Sequence, residues 1–119
     1  MKNLFFLFIL FCTTSLVAQD TIPTSKATQF IGKEVWVKGT IASLKLAPEG
    51  RSTNYINVDK PYPDAEFTVV ISNKYAEEHQ LNLLEATGKK IRVKGVISVY
   101  DKDPKKTPQI YNPTQIIIE

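Results

Sequence analysis

The sequence predicts an all-β domain, a small five-stranded barrel with a short helix between its third and fourth strands. Three observations support this prediction. Five runs are rich in β-branched residues, loops of Pro, Gly, Asp and Lys separate them, and a near repeat places a glycine in the middle of two long strands. A length of 119 residues fits one such domain and is too short for a large multi-domain enzyme.

The N-terminal residues have the pattern of a secretory signal peptide. Lys2 precedes the apolar run Leu4–Cys12, and polar and small residues follow as far as Ala18. A helix of about nine apolar residues is too short to cross a hydrocarbon layer roughly 30 Å thick. We therefore expect cleavage near Ala18, a periplasmic or extracellular location, and no membrane span.

Removal of residues 1–18 changes what the composition implies. The remaining 101 residues contain no cysteine and have a net charge of +2, because the only cysteine of the chain is Cys12. A domain without cysteine is neither a disulfide scaffold nor a thiol enzyme, and it has no cysteine-based metal site. We expect residues 19–30 to lead into a domain that spans residues 31–119.

Turn-forming residues separate the five β-like runs. In order, the runs are Lys33–Lys45, Asn54–Val58, Glu66–Ser72, Lys89–Asp101 and Gln109–Ile118. The segment NKYAEEHQLNLLEATG, residues 73–88, lacks β-branched enrichment, contains good helix formers and ends at a glycine. These properties predict one or two short helical turns that end at Gly88.

The near repeat defines two long strands with the same pattern of faces. IGKEVWVKGTI (Ile31–Ile41) and TGKKIRVKGVI (Thr87–Ile97) share the pattern G-K-x-[VI]-x-V-K-G-x-I. Gly39 and Gly95 fall on the apolar face, where a glycine allows a sharp bend or the close approach of a neighbouring backbone. Strand alternation points one set of side chains outward: Trp36, Lys38, Arg92 and Lys94.

The order of elements, the two glycine-containing strands and the closing PQIYNPTQIII resemble the OB-fold, a five-stranded Greek-key barrel. The segment VWVKGTIASLKLAPEGRSTNYINVDK resembles the first hairpin of tRNA-anticodon-type nucleic-acid-binding OB domains. YINVDKPYPDAEFTVVI is similar to small secreted bacterial OB proteins. The resemblance implies that the first and fourth strands pair, and that the loops Leu46–Thr53 and Asp101–Pro108 border the binding face.

The inventory of reactive side chains favours a protein that is not an enzyme. His79 is the only histidine, so no Cys/His pair or multi-histidine metal site can form in the mature domain. Asp59, Asp64 and Glu66 could hold a divalent cation, and a protein with such a site could be a metal-assisted hydrolase. Their spacing does not match an EF-hand, and surface acids of a turn are the simpler interpretation. We expect no catalytic residue, no metal and no cofactor.

Charge and aromatic content favour a protein that binds single-stranded DNA or RNA weakly and with low sequence specificity. Residues 89–106 contain seven Lys or Arg side chains and two Asp, a net charge of +5. Single-strand binding requires cations for phosphates and aromatic rings on which bases stack. The predicted face comprises Trp36, Lys38, Tyr55, Asn57, Arg92, Lys94, Tyr100, Lys102, Lys105 and Lys106.

Several alternatives to this interpretation remain open from the sequence. The same barrel could be an interaction module for a periplasmic protein, a peptide or a small ligand, since OB barrels bind many classes of partner. Trp36 could cover the open end of the barrel, and the tyrosines could complete a small core with their hydroxyls in water. Asn57 could be a cross-strand group instead of a base-reading one.

Overall fold

The computed structural model describes residues 21–119, and the predicted signal peptide lies outside the described residues. Strand residues outnumber helical residues in this range. The strands are β1 (Thr21–Pro23), β2 (Glu34–Lys45), β3 (Thr53–Val58), β4 (Phe67–Ser72), β5 (Lys90–Val96), β6 (Ser98–Val99), β7 (Pro108–Tyr111) and β8 (Gln115–Ile118). The helix α1 spans Asn73–Glu78, and two 3-10 helices span Thr24–Phe30 and Leu83–Glu85. Within residues 21–119, no helix is both long enough and apolar enough to cross a membrane.

The strands form one curled sheet. Hydrogen bonding runs in the order β6-β7-β4-β3-β2-β5-β8, and β1 lies parallel to β2. The first half of β2 pairs with β5 and its second half pairs with β3. β6 and β8 are the two ends of this order. β6 follows directly after β5, the neighbour of β8, and β8 follows closely after β7, the neighbour of β6. The chain therefore connects the two edges of the sheet, which curls back on itself. The predicted pairing of the first and fourth runs is confirmed as β2–β5.

The structure contains eight strands, whereas the sequence predicted five. The fourth predicted strand is divided at Ile97, which leaves the ladder to form an isolated bridge with Ile31. The fifth is divided between β7 and β8, where Asn112 has a φ of 44° and Pro113 has no backbone N–H to donate. β1 is an additional strand in the segment that the sequence assigned to a lead-in.

The core fills the inner side of the curled sheet. Its largest fully buried side chains are Val37, Ile41, Ile56, Val58, Phe67, Val69, Ile71, Ile91, Val93, Ile97 and Ile110. Burial of each stabilises the fold by about 1.5–3 kcal/mol relative to exposure. Residues 21–30 contribute to the same core through Ile22 and Ala27, which are 5% and 0% exposed.

The two inner-face glycines allow neighbouring side chains to approach β2 and β5 closely. A Cβ at Gly95 would lie 2.6 Å from Cγ2 of Ile110, and one at Gly39 would lie 2.5 Å from Cγ1 of Val58. Neither distance leaves room for a methyl group. The sequence predicted a sharp bend or a close neighbouring backbone at these glycines, and the atoms that approach most closely are side-chain atoms.

The predicted helical turns between β4 and β5 are also confirmed. The Ser72 hydroxyl accepts a hydrogen bond from the backbone N–H of Tyr75 at 3.0 Å and caps α1. The buried Tyr75 hydroxyl donates to the carbonyl of Pro113 at 2.6 Å, which ties α1 to the segment between β7 and β8. Gly88 has a φ of 90° at the end of the helical segment, a conformation that favours glycine.

Candidate nucleic-acid interface

The outer side of β2 and β5 brings four of the predicted side chains together. Trp36 is directly opposite Lys94, and Lys38 is directly opposite Arg92. Opposed residues of an antiparallel pair have Cβ atoms about 4.5–5.5 Å apart, so the two pairs form one continuous cluster. We call these four side chains the cationic face.

Trp36 packs against one of these cations. The Arg92 guanidinium carbon lies 5.9 Å from the centroid of the indole ring, within the range of a cation–π contact. Thr21 of β1 lies opposite Trp36 on the other side of β2. Trp36 is on the outer side of the sheet, as predicted, but these neighbours leave it half-buried.

The cations of this face have no acidic partner among the described residues. The ion pairs within residues 21–119 are Lys60 with Glu66 at 3.1 Å and Lys105 with Asp64 at 3.9 Å. Both lie in the loops after β3 and β6. The positive charges on the outer side of β2 and β5 are therefore available to an anion.

A pocket of about 400 Å³ opens at one end of the cationic face. Lys38, Arg92 and Lys90 supply its cations, and Pro23 and Ile117 supply apolar wall. Lys90 is directly opposite Thr40, and this is the next pair on the same face after Lys38 and Arg92, two positions along the ladder. The pocket therefore extends the cationic face away from Trp36.

Two carboxylates lie at the far end of this pocket. Backbone hydrogen bonds place Asp59 beside Thr40 at 2.7 Å and Glu119 beside Lys90 at 2.9 and 3.2 Å. One carboxylate oxygen of Asp59 accepts the Thr40 N–H at 2.9 Å, and the other accepts the Thr24 hydroxyl. Both oxygens of Asp59 are thus occupied, which fixes this side chain and ties the first 3-10 helix to β2.

Tyr55 lies on a different part of the sheet. It is directly opposite Lys45, whose ammonium is 6.0 Å from the tyrosine ring centroid. Lys45 is nine residues beyond Trp36 on β2, up to about 30 Å along an extended strand. The structure thus does not bring Tyr55 to the cationic face. With Val70 and Tyr111, which continue its row across β4 and β7, Tyr55 forms a second surface that we call the tyrosine face.

Asn57 is not available to a ligand, contrary to its inclusion in the predicted face. It is only 6% exposed. Its amide nitrogen donates to the Ser43 hydroxyl at 3.0 Å, and its amide oxygen accepts the Thr68 hydroxyl at 3.2 Å. The side chain belongs to a hydrogen-bonded row across β2, β3 and β4.

The four loop residues of the predicted face are exposed, but they lie in the β6–β7 loop and two of them have protein partners. These four are Tyr100, Lys102, Lys105 and Lys106. The Lys105 ammonium donates to the carbonyl of Pro63 at 2.8 Å, and the Lys106 ammonium donates to the carbonyl of Asp101. The contact of Lys105 joins this loop to the β3–β4 loop.

Asp103 holds the β6–β7 loop in shape. Its carboxylate accepts the backbone N–H groups of Lys105 at 2.9 Å and Thr107 at 3.0 Å. These two hydrogen bonds favour the charged form and lower the pKa of Asp103. The lysines of this loop are thus displayed by an ordered turn.

Two of the three acids considered for a metal site lie close together, because the Thr24 hydroxyl is within hydrogen-bond distance of a carboxylate oxygen of both Asp59 and Glu66. Asp64 and Glu66 pair with lysines, while Asp59 is held by Thr24 and Thr40. In the part of the chain that the structure describes, no three His, Cys, Asp or Glu side chains come close enough to hold a metal ion. The exposed His79 ring stacks on Tyr75, with centroids 3.9 Å apart.

The sequence prediction missed the pocket beside the cationic face. Lys90 could have been found, because it precedes Arg92 by two residues and therefore points to the same side of β5. Pro23 and Glu119 could not, because their positions depend on pairings between distant segments.

No protein-family model matches this sequence, and no curated protein matches it. Several solved structures share its fold. An asparaginyl-tRNA synthetase of Entamoeba histolytica matches 85% of the chain with a TM-score of 0.60 and 15% identity. An aspartyl-tRNA synthetase of the same organism matches 86% with a TM-score of 0.61 and 11% identity. An OBody bound to hen egg-white lysozyme matches 85% with a TM-score of 0.59 and 18% identity.

These likenesses establish the OB-fold for this chain. The match covers 24% and 21% of the two synthetase chains and 94% of the OBody chain. The chain therefore spans less than a quarter of each synthetase. None of these three structures is a secreted bacterial OB protein, and that part of the resemblance stays a prediction.

Proposed function

We propose that the protein binds single-stranded nucleic acid through the cationic face and catalyses no reaction on it. The observation that carries this proposal is the contact of Arg92 with Trp36, beside the unpaired cations Lys38 and Lys94. The cations would contact phosphates, while the indole ring of Trp36 would receive a base. The fold supports the proposal, because two proteins that share it are tRNA synthetases.

The number of available cations implies weak binding. Each phosphate neutralised on a single strand contributes about −0.7 to the slope of log affinity against log salt. The three cations of the face therefore give a slope near −2 and correspondingly low affinity at physiological salt. This matches the predicted low sequence specificity, because stacking and phosphate contacts carry little base information.

We also propose that the eight strands correspond to the five of a Greek-key OB barrel. In this assignment β5 with β6 makes the fourth strand, β7 with β8 makes the fifth, and β1 is an addition. The pairings of β6 with β7 and of β5 with β8 support it, because both pair the segment that contains β5 and β6 with the segment that contains β7 and β8. The β6–β7 loop then corresponds to the fourth connection of the barrel.

The site of action would be outside the cytoplasm. The proposal of export rests on Lys2 and the apolar run Leu4–Cys12. Expression of the full chain in a Gram-negative host, followed by mass spectrometry of the periplasmic fraction, tests it. A protein that begins near Gln19 is expected, and retention of the uncut chain in the cytoplasm would contradict export.

Charge-neutral variants test the nucleic-acid proposal. Affinity for a short fluorescent oligonucleotide would be measured by anisotropy at several salt concentrations. Lys94→Gln should flatten the salt slope by about 0.7, because it removes one phosphate contact. Arg92→Gln should do the same and also weaken binding at all salt concentrations, because it removes the cation that contacts Trp36. Lys74→Gln on α1 is the matched control and should change neither.

A second candidate function is binding of a protein or peptide on the tyrosine face. Tyr55 and Tyr111 are 39% and 56% exposed and lie on either side of the buried Val70, and tyrosine is a residue type enriched at protein interfaces. An OBody of the same fold binds lysozyme. If this is the function, Tyr111→Ala should abolish binding of a periplasmic partner that Lys94→Gln still binds. Equal loss with both variants would argue against the tyrosine face.

A further inference from the structure

The pocket next to the cationic face has features that an internal stretch of strand does not require. We propose that it holds the terminal phosphorylated nucleotide of a single strand. This inference rests on the proposed function and makes it more specific, because it gives the bound strand an end.

The cations of the pocket suit a phosphate monoester. Lys38, Arg92 and Lys90 line it; Lys38 and Arg92 are directly opposite each other on β2 and β5, and Lys90 is two residues before Arg92 on β5. A phosphate monoester has a second pKa near 6 and carries a charge of about −1.5 to −2 at pH 7. An internal phosphodiester carries a single negative charge. The third cation therefore adds more to the binding of a terminal phosphate than to the binding of an internal one.

The carboxylates explain why a strand would end here. Asp59 and Glu119 line the Lys90 end of the pocket, next to Thr40 and Lys90. A strand that continued past the pocket would place its next phosphate near these two negative charges, which would repel it. Asp59 cannot easily turn away, because Thr24 and Thr40 hold both of its carboxylate oxygens. In the other direction the surface continues to Trp36 and Lys94, and a single carboxylate, that of Glu34, follows two residues before Trp36 on β2.

The remaining wall suits the sugar and base of one nucleotide. Pro23 and Ile117 line the pocket, and Ile117 keeps 36% of its surface exposed. A volume of about 400 Å³ lies within the range of pockets that hold small molecules. The phosphate would lie among the cations while the nucleoside packs on the proline ring and the isoleucine side chain. The rest of the strand would then run toward Trp36.

Label-free calorimetry with the mature protein tests this inference. Three single strands of one sequence would be compared at low salt: one with a 5′-phosphate, one with a 3′-phosphate and one with hydroxyls at both ends. We expect one of the phosphorylated strands to bind about five-fold more tightly than the hydroxyl-ended strand, since one additional surface charge contact is worth up to about 1 kcal/mol. The preferred end gives the direction of the strand.

Two variants locate the preference. Lys90→Gln should reduce the ratio of the affinities for the preferred phosphorylated strand and the hydroxyl-ended strand toward one. Lys94→Gln removes the same charge from the opposite end of the face. It should weaken the binding of both strands and leave the ratio of their affinities unchanged. A ratio that survives Lys90→Gln would overturn the assignment to this pocket.

The remaining outcomes separate the inference from the function on which it rests. Equal affinity for all three strands would refute the terminal site and leave single-strand binding intact. Absence of binding to every strand would refute the proposed function itself. Adenosine monophosphate serves as a fourth ligand, and we expect it to bind more weakly than the preferred strand. If it bound as tightly, the ligand would be a free nucleotide and the strand-end proposal would be wrong.

Discussion

Replacing Gly95 with alanine tests whether the position must lack a side chain because a neighbouring strand approaches it. Gly95 lies on the inner face of β5, with Ile110 of β7 directly against it. Its φ does not lie in the left-handed region, so the backbone itself would accept alanine. Any destabilisation then reports the contact with Ile110 and not the loss of a glycine conformation.

The magnitude follows from two opposing effects. Alanine restricts the unfolded chain and would by itself stabilise the protein by about 0.4–1 kcal/mol. The new Cβ would lie 2.6 Å from Cγ2 of Ile110, whereas carbon atoms in contact are about 3.5–4.0 Å apart. Overpacking of this kind costs about 1–3 kcal/mol. We expect a net loss of about 1–2 kcal/mol and a Tm lowered by roughly 10 °C for a domain of this size.

Urea unfolding of a double-mutant cycle measures the contact directly. Ile110→Ala removes the clashing methyl and, alone, should cost about 2–5 kcal/mol. The double variant should lose at least about 1 kcal/mol less than the sum of the two single losses, because the alanine methyl occupies part of the cavity. Ser98→Ala, at an exposed position of β6, is the control and should stay within about 0.5 kcal/mol. Strict additivity, or a Gly95→Ala protein as stable as the parent, would refute the reasoning.

Three further predictions concern the elements around the site. Burial raises the pKa of Tyr75 to about 12, so the unfolded chain ionises first and stability should fall as pH rises from about 10 to 12. In urea unfolding Tyr75→Phe should reduce that fall, and an unchanged pH dependence would exclude Tyr75 as its cause. Ser72→Ala should lower the free energy of unfolding by about 1 kcal/mol through loss of the α1 cap, and an unchanged urea midpoint would contradict it. A chain that begins at Ile31 should melt at least 10 °C lower by circular dichroism, because it lacks the buried Ile22, whose burial is worth about 1.5–3 kcal/mol. Full retention of the Tm would show that residues 21–30 are dispensable.

Strand alternation is the reason that much of the core and the cationic face could be predicted from sequence. Successive side chains of a strand point to opposite faces, so the shared pattern of the near repeat predicted both the buried Val37 and Val93 and the outward Lys38 and Arg92. The glycine on the inner face likewise predicted a close neighbour. These properties are local to one strand, and a sequence contains them directly.

Properties that depend on distant segments could not be predicted in this way. The register of β2 shifts between Ile41 and Ser43, and β2 changes partner from β5 to β3 along its length. Trp36 and Tyr55, both outward on their strands, therefore belong to different surfaces. Asn57 is outward by alternation too, and it is buried because Ser43 lies across from it. No pattern within a single strand contains this information.

Fluorescence of Trp36 provides the most direct measurement of single-strand binding by the cationic face. It is the only tryptophan of the chain, so its emission reports this face alone. On titration of the mature protein with a short single-stranded oligonucleotide at low salt, we predict a saturable change in emission. The affinity should fall with a log–log salt slope near −2. Unchanged emission at saturating oligonucleotide, or an affinity that does not depend on salt, would contradict binding at the cationic face.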